Sequence, residues 1–529
     1  MTFSASTFGL GASEVVPEPI FCSLPDQIRR HAAAQPAASA LTDSSTRIDY
    51  AGLDRMMDRV AHALQRDGLQ PGESIAICAQ SSAVYVAVFL GALRAGAVVA
   101  PLSPSVTPAS FGIMLADSGA RWLFCDSSAG PLLSDDLPAR CIDLGEPLAA
   151  WLDEGGIEDE APRAVEIKPE WAFNIIYSSG TTGTPKGIVQ PHYMRWIQAN
   201  RLDSGYGRDT VSLLATPLYS NTTLVVLIPT LAHGGSVILM EKFDARRYLA
   251  LAEQHRATHT MLVPVQYQRL MALPDFDSCD LSTFRMKFCT SAPFSAALKA
   301  DVLKRWLGGL VEFYGMTEGG GTCILQAHEH PDKLHTVGQP AAGHDIRLID
   351  EEGREVGPGE TGEVVGNSPS MMVGYHRQPE KTREAEWYDP QGKRFIRTGD
   401  VGRFDADGFL ILLDRRKDVI ISGGFNIYPS DLEAVLREHP QVSDAAVVGA
   451  PSERWGETPV GFVVLTESPS APGKQDPAAA ILQWANQRLG KTQRLAQLHL
   501  VAELPRSPIG KVLKRELRDS LIQGQTGAG

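Results

Sequence analysis

The chain has 529 residues, enough for about three structural units at roughly 150 residues per domain, so a single small binding module is excluded. Hydrophobic residues make up 43% and charged residues 21%, as in ordinary globular proteins, which excludes wholly disordered and fibrous chains. The 49 basic and 62 acidic residues give a net charge of −13, which argues against nucleic-acid binding, since this needs a basic surface.

The cysteine pattern and the apolar runs bear on location. The seven cysteines are scattered and lack the C-x-x-C spacing of zinc or redox sites. The most apolar stretch, residues 85–102, contains Arg94 and Pro101, which interrupt it before the about 20 residues that a membrane span needs. No basic patch leads into an apolar run at the N-terminus. We therefore expect reduced thiols, no membrane span and a cytoplasmic location.

Helical and strand periods alternate from Ile48 to Cys125. In chain order, the pattern predicts a helix from Leu53 to Leu64, a strand over residues 74–78, a buried helix and strand within residues 85–102, and a strand over residues 122–125. Such alternation predicts a parallel sheet covered by helices. Further apolar runs at residues 173–176, 260–263 and 284–289 each lead into a loop rich in Gly, Ser, Thr or Pro. In open α/β sheets, ligands bind at such loops beyond the carboxyl ends of the strands.

The pattern changes after residue 345. From Ile346 to Leu413, short alternating runs broken by Gly and Pro predict a small β unit. A compact β/α pattern returns after Asp414: a helix around residues 432–436, strands at 445–448 and 461–465, a surface loop over 468–476, and an amphipathic helix over 512–521.

The most informative segment is YSSGTTGTPKG at residues 177–187, which follows a buried strand. It offers backbone N–H groups, hydroxyls and one ammonium to a polyphosphate. It is not a Walker-type loop, because Lys186 is followed by Gly187 and not by the Ser or Thr that would hold magnesium. The alternative is an ordinary flexible turn, but the density of phosphate-binding groups favours nucleotide binding.

This segment resembles the phosphate loop of the adenylate-forming superfamily, which includes acyl- and aryl-CoA synthetases, luciferases and peptide-synthetase adenylation domains. The family's other motifs follow in its order: EFYGMTE (312–318), RTGD (397–400), DRRKD (414–418), SGG (422–424) and PRSPIGK (505–511). The resemblance extends from about Leu24 to Leu521. It implies an α/β fold: a large N-terminal domain (1–413) of doubly wound α/β subdomains with a small β-barrel-like unit, and a small mobile C-terminal α/β domain (414–529).

The resemblance also implies which residues bind ATP and magnesium. The phosphate loop comprises Ser178, Ser179, Gly180, Thr181, Thr182, Gly183 and Lys186. The adenine lies between Tyr314, with its neighbours Glu312, Phe313 and Gly315, and the loop Ser291, Ala292 and Pro293. Asp400 and Arg415 contact the ribose, where an acceptor-only carboxylate can take both hydroxyls. Thr317 hydrogen-bonds the α-phosphate, and Glu318 helps to hold Mg²⁺, which prefers carboxylate oxygens.

The C-terminal motifs imply a second group of roles. Lys511 resembles the lysine that enters the site during adenylation and stabilises charge developing between the carboxylate and the α-phosphate. Lys417 matches the hinge about which the C-terminal domain swings before thioester formation. Gly423 and Gly424 match the turn that borders the pantetheine channel. The segment around Lys511 also matches the pattern that protein acetyltransferases recognise in similar synthetases, so an acetyltransferase is a possible partner.

These observations predict an ATP-dependent carboxylate–CoA ligase that makes an acyl-AMP and then an acyl-CoA thioester, using ATP, Mg²⁺ and CoA. The alternative is an acyl-AMP ligase that loads an acyl carrier protein. The expected acid pocket includes Tyr219, Ser220, Asn221, Gly319 and Gly320, with the glycines leaving space for a bulky ring or chain. No acidic residue lies between positions 217 and 231, so a free amino acid is disfavoured as substrate. Aromatic, alicyclic and medium-chain acids stay open.

Overall fold

The computed structural model describes residues 20–134, 136–154, 161–178, 185–200, 205–422, 425–452, 455–466, 476–490, 493–507 and 511–526. The α-helices are α1 (Leu24–Ala34), α2 (Tyr50–Arg66), α3 (Ala83–Arg94), α4 (Pro108–Ser118), α5 (Glu146–Asp153), α6 (His192–Ala199), α7 (Asn221–Ala232), α8 (Ala245–Gln254), α9 (Pro264–Met271), α10 (Ala296–Arg305), α11 (Pro379–Glu384), α12 (Pro429–Arg437), α13 (Pro477–Asn486) and α14 (Lys514–Thr526).

All strands of the two larger sheets except β18, which follows later in the chain, lie in its first 340 residues, and most are short. In chain order they are β1 (Ser39–Thr42), β2 (Arg47–Asp49), β3 (Ser74–Cys78), β4 (Val98–Pro101), β5 (Trp122–Cys125), β6 (Arg140–Asp143), β7 (Ala172–Ser178), β8 (Lys186–Pro191), β9 (Val211–Leu214), β10 (Ser236–Leu239), β11 (His259–Leu262), β12 (Met286–Cys289), β13 (Gly309–Gly315), β14 (Thr322–Gln326) and β15 (Gln339–Pro340).

The strands of the second half of the chain are β16 (Asp345–Ile349), β17 (Gly362–Asn367), β18 (Gly374–Tyr375), β19 (Glu386–Tyr388), β20 (Arg394–Phe404), β21 (Leu410–Arg415), β22 (Ile420–Ser422), β23 (Phe425–Ile427), β24 (Val442–Ser452), β25 (Gly456–Leu465) and β26 (Gln497–Leu500).

Two α/β layers form the N-terminal part of the molecule. One sheet has nine strands in the order β15-β14-β13-β12-β11-β9-β10-β1-β2, and the other has seven in the order β18-β8-β7-β4-β3-β5-β6. The strands β9 to β13 pair in parallel, so their carboxyl ends lie along one edge. The prediction of parallel sheets covered by helices is confirmed, and the two predicted strands β3 and β5 have the predicted bounds.

Burial explains why the early strands and helices form where they do. Every residue of β3, β4 and β5 is buried, and all but one residue of the intervening helix α3 is buried too. Helix α2 begins at an N-cap, Asp49, whose carboxylate accepts the backbone N–H of Gly52, and its apolar stripe packs inward. The apolar stretch at residues 85–102 is therefore a buried helix and strand, as expected.

A smaller β unit follows. Strands β16, β17, β20 and β19 form an antiparallel sheet, and β21 pairs with β20 as well. The long strand β20 contacts three partners at different points along its length, with irregular register at Val401 and Gly402. Such irregularities bend a strand, which brings its central residues, including Asp400, toward the edge where β13 ends.

The C-terminal unit is a separate small sheet with its own core. Strands β23, β22, β25 and β24 pair in that order, and β26 pairs with β25. Helices α12 and α13 pack through Leu432, Leu436 and Ile481 into one cluster of buried side chains, and Leu517 of α14 packs into another. The predicted strands lie within β24 and β25. The predicted loop at 468–476 lies outside the described residues except for Asp476, which caps α13.

Two further expectations concern membranes and thiols. No helix among the described residues combines the length and the apolar character needed to cross a bilayer. All seven cysteines are free thiols, four of them buried.

Candidate functional site

The candidate phosphate site lies where β7 ends and β8 begins. Ser178 is the last residue of β7 and pairs with Lys186, the first residue of β8. The intervening predicted residues Ser179, Gly180, Thr181, Thr182 and Gly183 lie outside the described part of the chain, as do Gly423 and Gly424. The Lys186 ammonium lies 4.9 Å from the ring centroid of Tyr375. A cation therefore lies at the start of β8, close to where the predicted phosphate loop ends.

Glu318 lies beside that cation. The Tyr375 hydroxyl donates a hydrogen bond to Glu318 Oε1 at 2.9 Å. Burial raises the pKa of Glu318, and the Tyr375 bond and the positive charges of Lys186 and Arg415 oppose the rise. The structure thus brings the predicted magnesium ligand to the predicted phosphate-binding lysine, although 132 positions separate them in the sequence.

The residues present fit a magnesium ion held jointly with a nucleotide. One carboxylate oxygen of Glu318 accepts the Tyr375 hydroxyl, and the carboxylate offers further lone pairs. Mg²⁺ is usually bound by one or two carboxylates together with substrate phosphates and water. Within the described ranges, no group of three or more His, Cys, Asp and Glu side chains could hold a metal without such a substrate.

A second group of predicted residues forms the candidate ribose site. Tyr314, near the end of β13, donates a hydrogen bond from its hydroxyl to Asp400 Oδ2 at 2.9 Å. Arg415 Nε lies 3.3 Å from Asp400 Oδ1, and the two residues are register partners across β20 and β21. Burial, together with the charge of Asp400, raises the pKa of the Tyr314 hydroxyl well above its usual range. Three motifs that are remote in sequence therefore meet at one carboxylate.

The loop after β12 carries backbone strain. Ser291 has a φ of 81°, a left-handed conformation that is uncommon for a residue with a side chain. Its Oγ lies 2.7 Å from the hydroxyl of Thr222 in the first turn of α7, and Thr290 Oγ1 donates to the backbone oxygen of Phe313 at 2.8 Å. Strain of this kind concentrates at ligand sites. The loop with Ser291, Ala292 and Pro293 thus lies next to the strand that carries Tyr314.

Glu312 has a different environment from its neighbours. It is 4% exposed, and its carboxylate forms an ion pair with Lys299 of α10, which is 1% exposed. Lys299 also donates to the backbone oxygens of Leu334 at 2.8 Å and Thr336 at 3.0 Å. The Glu312 side chain is therefore engaged in a buried ion pair, and only the backbone of this residue is left for a nucleotide contact. The exposed Gly315 ends the same strand.

Lys511 reaches this site from the C-terminal unit. Its ammonium is half-buried, and burial and the nearby charge of Arg415 lower its pKa to about 8, against the opposing effect of Asp400. The backbone N–H of Lys511 donates to Ser507 Oγ at 3.1 Å, and Ser507 N–H donates to the oxygen of Lys511 at 2.8 Å. The ammonium is therefore close enough to Asp400 and Arg415 of the candidate ribose site for both charges to affect its pKa.

The lowered pKa gives a pH dependence. A lysine whose pKa falls from 10.5 to about 8 is a cation below pH 8 and loses its charge as the pH rises through that value. If Lys511 acts as a cation, kcat/KM for pyrophosphate release should be flat below pH 8 and decline above it, because kcat/KM reports ionisations of the free enzyme. A profile that stays flat to about pH 10, near the ordinary lysine pKa, would contradict this assignment.

The proposed hinge lies between the β unit and the C-terminal sheet. Lys417 is exposed and occupies a single 3₁₀ turn, Arg416–Asp418, between β21 and β22. Asp418 accepts a hydrogen bond from Arg518 of α14 at 2.7 Å, and Val419 N–H donates to Arg415 O at 3.0 Å. Hydrogen bonds therefore hold the residues on both sides of Lys417, while the Lys417 side chain is exposed.

The candidate acid pocket begins at the turn before α7. Ser220 caps this helix, since its Oγ accepts the N–H of Thr222 at 3.3 Å. Tyr219 is largely buried, which raises the pKa of its hydroxyl although Ser103 and Ser105 hydrogen-bond it. Asn221 Oδ1 is buried and has no hydrogen-bond partner within the described ranges. This turn therefore presents one unsatisfied acceptor.

Gly319 and Gly320 do not create free space. A Cβ on Gly319 would lie 2.1 Å from the backbone oxygen of Ser370, and one on Gly320 would lie 2.7 Å from Cβ of Ile396. Both contacts are closer than real Cβ atoms show, and Gly319 also has a φ of 72°. The missing side chains allow the β unit to pack against this loop. The prediction that they make room for a bulky acid is therefore wrong.

Sequence reasoning missed Tyr375. This tyrosine contacts both Glu318 and Lys186, but it comes from the two-residue strand β18, which pairs with β8. No local motif marks it, and only covariation between distant positions could have indicated the contact. Gln190 was missed for the same reason: its Nε2 donates to the backbone oxygen of Thr317 at 2.6 Å.

Known proteins share this architecture. Residues 28–376 match the AMP-binding enzyme family, and residues 431–511 match the AMP-binding enzyme C-terminal domain. A fatty acid–[acyl-carrier-protein] ligase of Streptomyces coeruleorubidus is 33% identical over 504 residues, covering 92% of this chain and 94% of that protein. A feruloyl-CoA synthase of an Amycolatopsis species is 34% identical over 496 residues, covering 92% of this chain and 97% of that protein. The crystal structure of ATP-bound MatB from Rhodopseudomonas palustris superposes with a TM-score of 0.83 at 29% identity, covering 94% of this chain and 99% of that one.

Proposed function

This chain belongs to the family of AMP-binding enzymes, and from that membership we propose that it is an ATP-dependent carboxylate–CoA ligase. It forms an acyl-AMP intermediate, transfers the acyl group to the CoA thiol, and releases pyrophosphate and AMP. One observation supports this most strongly: Lys511, from the C-terminal unit, is close enough to Asp400 and Arg415 for both charges to affect its pKa. A cation delivered there is what acyl-adenylate formation requires.

The first half-reaction needs charge control at the α-phosphate. The acid's carboxylate attacks the α-phosphorus, a bond forms from carboxylate oxygen to phosphorus, and pyrophosphate leaves with the electron pair of the broken bond. Lys511 stabilises the added negative charge in a site of low water content, where such charges interact strongly. Thr317 donates to the α-phosphate, and Asp400 accepts from the ribose hydroxyls. Lys186 binds the departing phosphates.

Magnesium is part of this proposal. Glu318 is the residue that would hold Mg²⁺, and the ion when bound would neutralise charge on the phosphates. The Tyr375 hydroxyl keeps the Glu318 carboxylate oriented, since its bond fixes one oxygen.

The second half-reaction uses the mobile domain. We place the domain boundary at residues 413 and 414 and propose Lys417 as the hinge, so that the residues after Lys417 rotate as a body while Arg415 stays paired with Asp400. Rotation withdraws Lys511 and brings Gly423 and Gly424 to the site, where the thiol arm enters. The thiolate sulfur attacks the acyl carbon and AMP leaves.

The acid is proposed to be uncharged at its distal end. The pocket turn holds Tyr219, Ser220 and Asn221 and brings no acidic or basic side chain, so a substrate ammonium would have no partner. The unsatisfied Oδ1 of Asn221 favours an acid with a hydrogen-bond donor, because an unpaired buried acceptor is costly. Hydroxylated aromatic acids meet both conditions.

Pyrophosphate release across a panel of acids tests the proposed function. The panel should contain hydroxylated and plain aromatic, alicyclic and medium-chain acids, each with ATP, Mg²⁺ and CoA. We expect acid-dependent release that continues over many turnovers only when CoA is present, with a hydroxylated aromatic acid preferred over its unsubstituted form. No acid-dependent release, with ATP binding intact, would overturn the proposal.

Loading of an acyl carrier protein is the second candidate, favoured by the 33% identity to a carrier-protein ligase. The same assay separates the two: a carrier-protein ligase forms acyl-AMP but makes no acyl-CoA, and it produces thioester only when a phosphopantetheinylated carrier protein is added.

We further propose a cytoplasmic location, where CoA is available, and control by acetylation of Lys511. Acetylation removes the charge while the side chain stays in place. Full acetylation should therefore reduce adenylation as much as loss of the side chain does, and deacetylase treatment should restore it. Mass spectrometry of the native protein combined with a rate measurement tests this; normal adenylation by fully acetylated protein would contradict it.

A further inference from the structure

Arg195 on helix α6 is a buried cation without a carboxylate partner. Its side chain is 1% exposed, and burial lowers its pKa to about 9. Among the described residues it forms no salt bridge. Its guanidinium donates instead to amide oxygens: Asn174 Oδ1 at 3.2 Å from Nε and 3.0 Å from Nη2, Gln198 Oε1 at 3.0 Å from Nη1, and Gln190 Oε1. Because burying an unpaired charge is costly, such an arrangement needs a reason.

The guanidinium fixes the orientation of the Gln190 amide. Gln190 Oε1 accepts from Arg195 Nη2 and also from Asn174 Nδ2 at 3.0 Å. A guanidinium has donors only, so the oxygen end of the amide must face it. The Nε2 end then points the other way and donates to the backbone oxygen of Thr317 at 2.6 Å.

These residues connect two parts of the candidate site. Asn174 on β7 and Gln190 on β8 are register partners on the two strands that flank the phosphate loop. Thr317 follows β13 in the other large sheet and precedes Glu318. The chain of hydrogen bonds therefore crosses from one sheet to the other and ends on the residue proposed to contact the α-phosphate.

We propose that Arg195, acting through Gln190, positions Thr317 against the α-phosphate of the nucleotide. Arg195 and Gln190 are thus positioning residues for adenylation, and this role rests on the proposed function. A buried cation can serve this purpose better than a neutral group, since its hydrogen bonds to amide oxygens are charge-assisted and hold the amide in one orientation.

The chain offers a matched buried cation without this connection. Lys287 at the start of β12 is fully buried and donates to the backbone oxygens of Trp306, Leu307 and Gly308 after α10. None of these residues belongs to the candidate site. Lys287→Met therefore measures what loss of a buried, hydrogen-bonded cation does to the fold alone.

Gln190→Glu separates positioning from folding. One oxygen of the new carboxylate can still accept from Arg195, so the buried guanidinium keeps a partner. The other oxygen takes the position of the amide nitrogen, faces the Thr317 carbonyl and cannot donate a hydrogen bond to it. We expect a melting temperature close to wild type. Pyrophosphate–ATP exchange should fall about 10-fold to 100-fold, as for loss of a buried hydrogen bond at the reacting group, through both a lower kcat and a higher KM for ATP. Thioester formation from pre-made acyl-AMP should stay near the wild-type rate.

Binding of AMP, measured by calorimetry, supplies a readout that needs no catalysis and no acid. The Kd for AMP should rise about tenfold in Gln190→Glu, because AMP carries the α-phosphate, and should be unchanged in Lys287→Met. Wild-type AMP affinity and exchange in Gln190→Glu would overturn the positioning role while leaving the proposed function intact. An inactive wild-type protein would instead refute the proposed function, and the AMP comparison would still decide whether Gln190 positions Thr317.

Discussion

Replacing Lys511 by alanine should reduce acyl-adenylate formation by about 10²–10³-fold, the loss that follows removal of one group that stabilises transition-state charge. Thioester formation from pre-made acyl-AMP should be nearly unchanged. The reason lies in where charge develops: the α-phosphate gains negative charge only in the first half-reaction, and Lys511 is close enough to Asp400 and Arg415 of the nucleotide site for their charges to affect its pKa. Pyrophosphate–ATP exchange measures the first step, and acyl-CoA formation from supplied acyl-AMP measures the second.

Arg515→Ala is the matched control, because it removes one positive charge from the same unit. Arg515 is 69% exposed and lies 3.8 Å from Asp519 on its own helix. This variant should keep both rates. Equal losses in the two half-reactions of Lys511→Ala would remove the lysine from its proposed role.

Replacing Lys417 by proline should preserve adenylation and slow thioester formation, the opposite of what we expect for Lys511→Ala. Proline fixes φ near −65°, so the hinge loses the freedom to absorb a backbone rotation. Adenylation should persist, because Lys511 is already in place in the described arrangement, while acyl transfer to CoA should fall by about 100-fold or more, since it requires the rotated arrangement. Single-turnover rates of each half-reaction provide the measurement.

Lys417→Ala removes the same charge but keeps the backbone free, so it should retain both steps. Lys417 is exposed, and its neighbours Asp418 and Val419 supply the anchoring contacts. If Lys417→Pro performs both half-reactions at wild-type rates, the rotation occurs at another residue.

The sequence predicted the fold well where burial dominates. Strands β3 and β5 have the predicted bounds because each is a fully buried apolar run between polar turns. The last helix was predicted from residue 512 and begins at Lys514, two residues later. Helix ends depend on local hydrogen bonds, and here the N–H of Leu513 donates to Pro505 O instead of starting the helix.

The sequence identified those site residues that belong to recognisable motifs. Asp400 and Arg415 belong to separate motifs, and the structure brings both together with Tyr314. Contacts between elements without motifs could not be predicted. Tyr375 meets Glu318 only because β18 pairs with β8, and the space beside Gly319 is filled by Ser370, which the sequence gives no reason to place there.

Product analysis before and after the addition of CoA tests the two-step reaction. The protein is incubated with ATP, Mg²⁺ and an acid that supports pyrophosphate release, first without CoA, and the products are identified by mass spectrometry before and after CoA is added. We expect enzyme-bound acyl-AMP and pyrophosphate first, then acyl-CoA and AMP in equal amounts after the addition. Formation of ADP and phosphate, or of acyl-CoA without prior acyl-AMP, would contradict it.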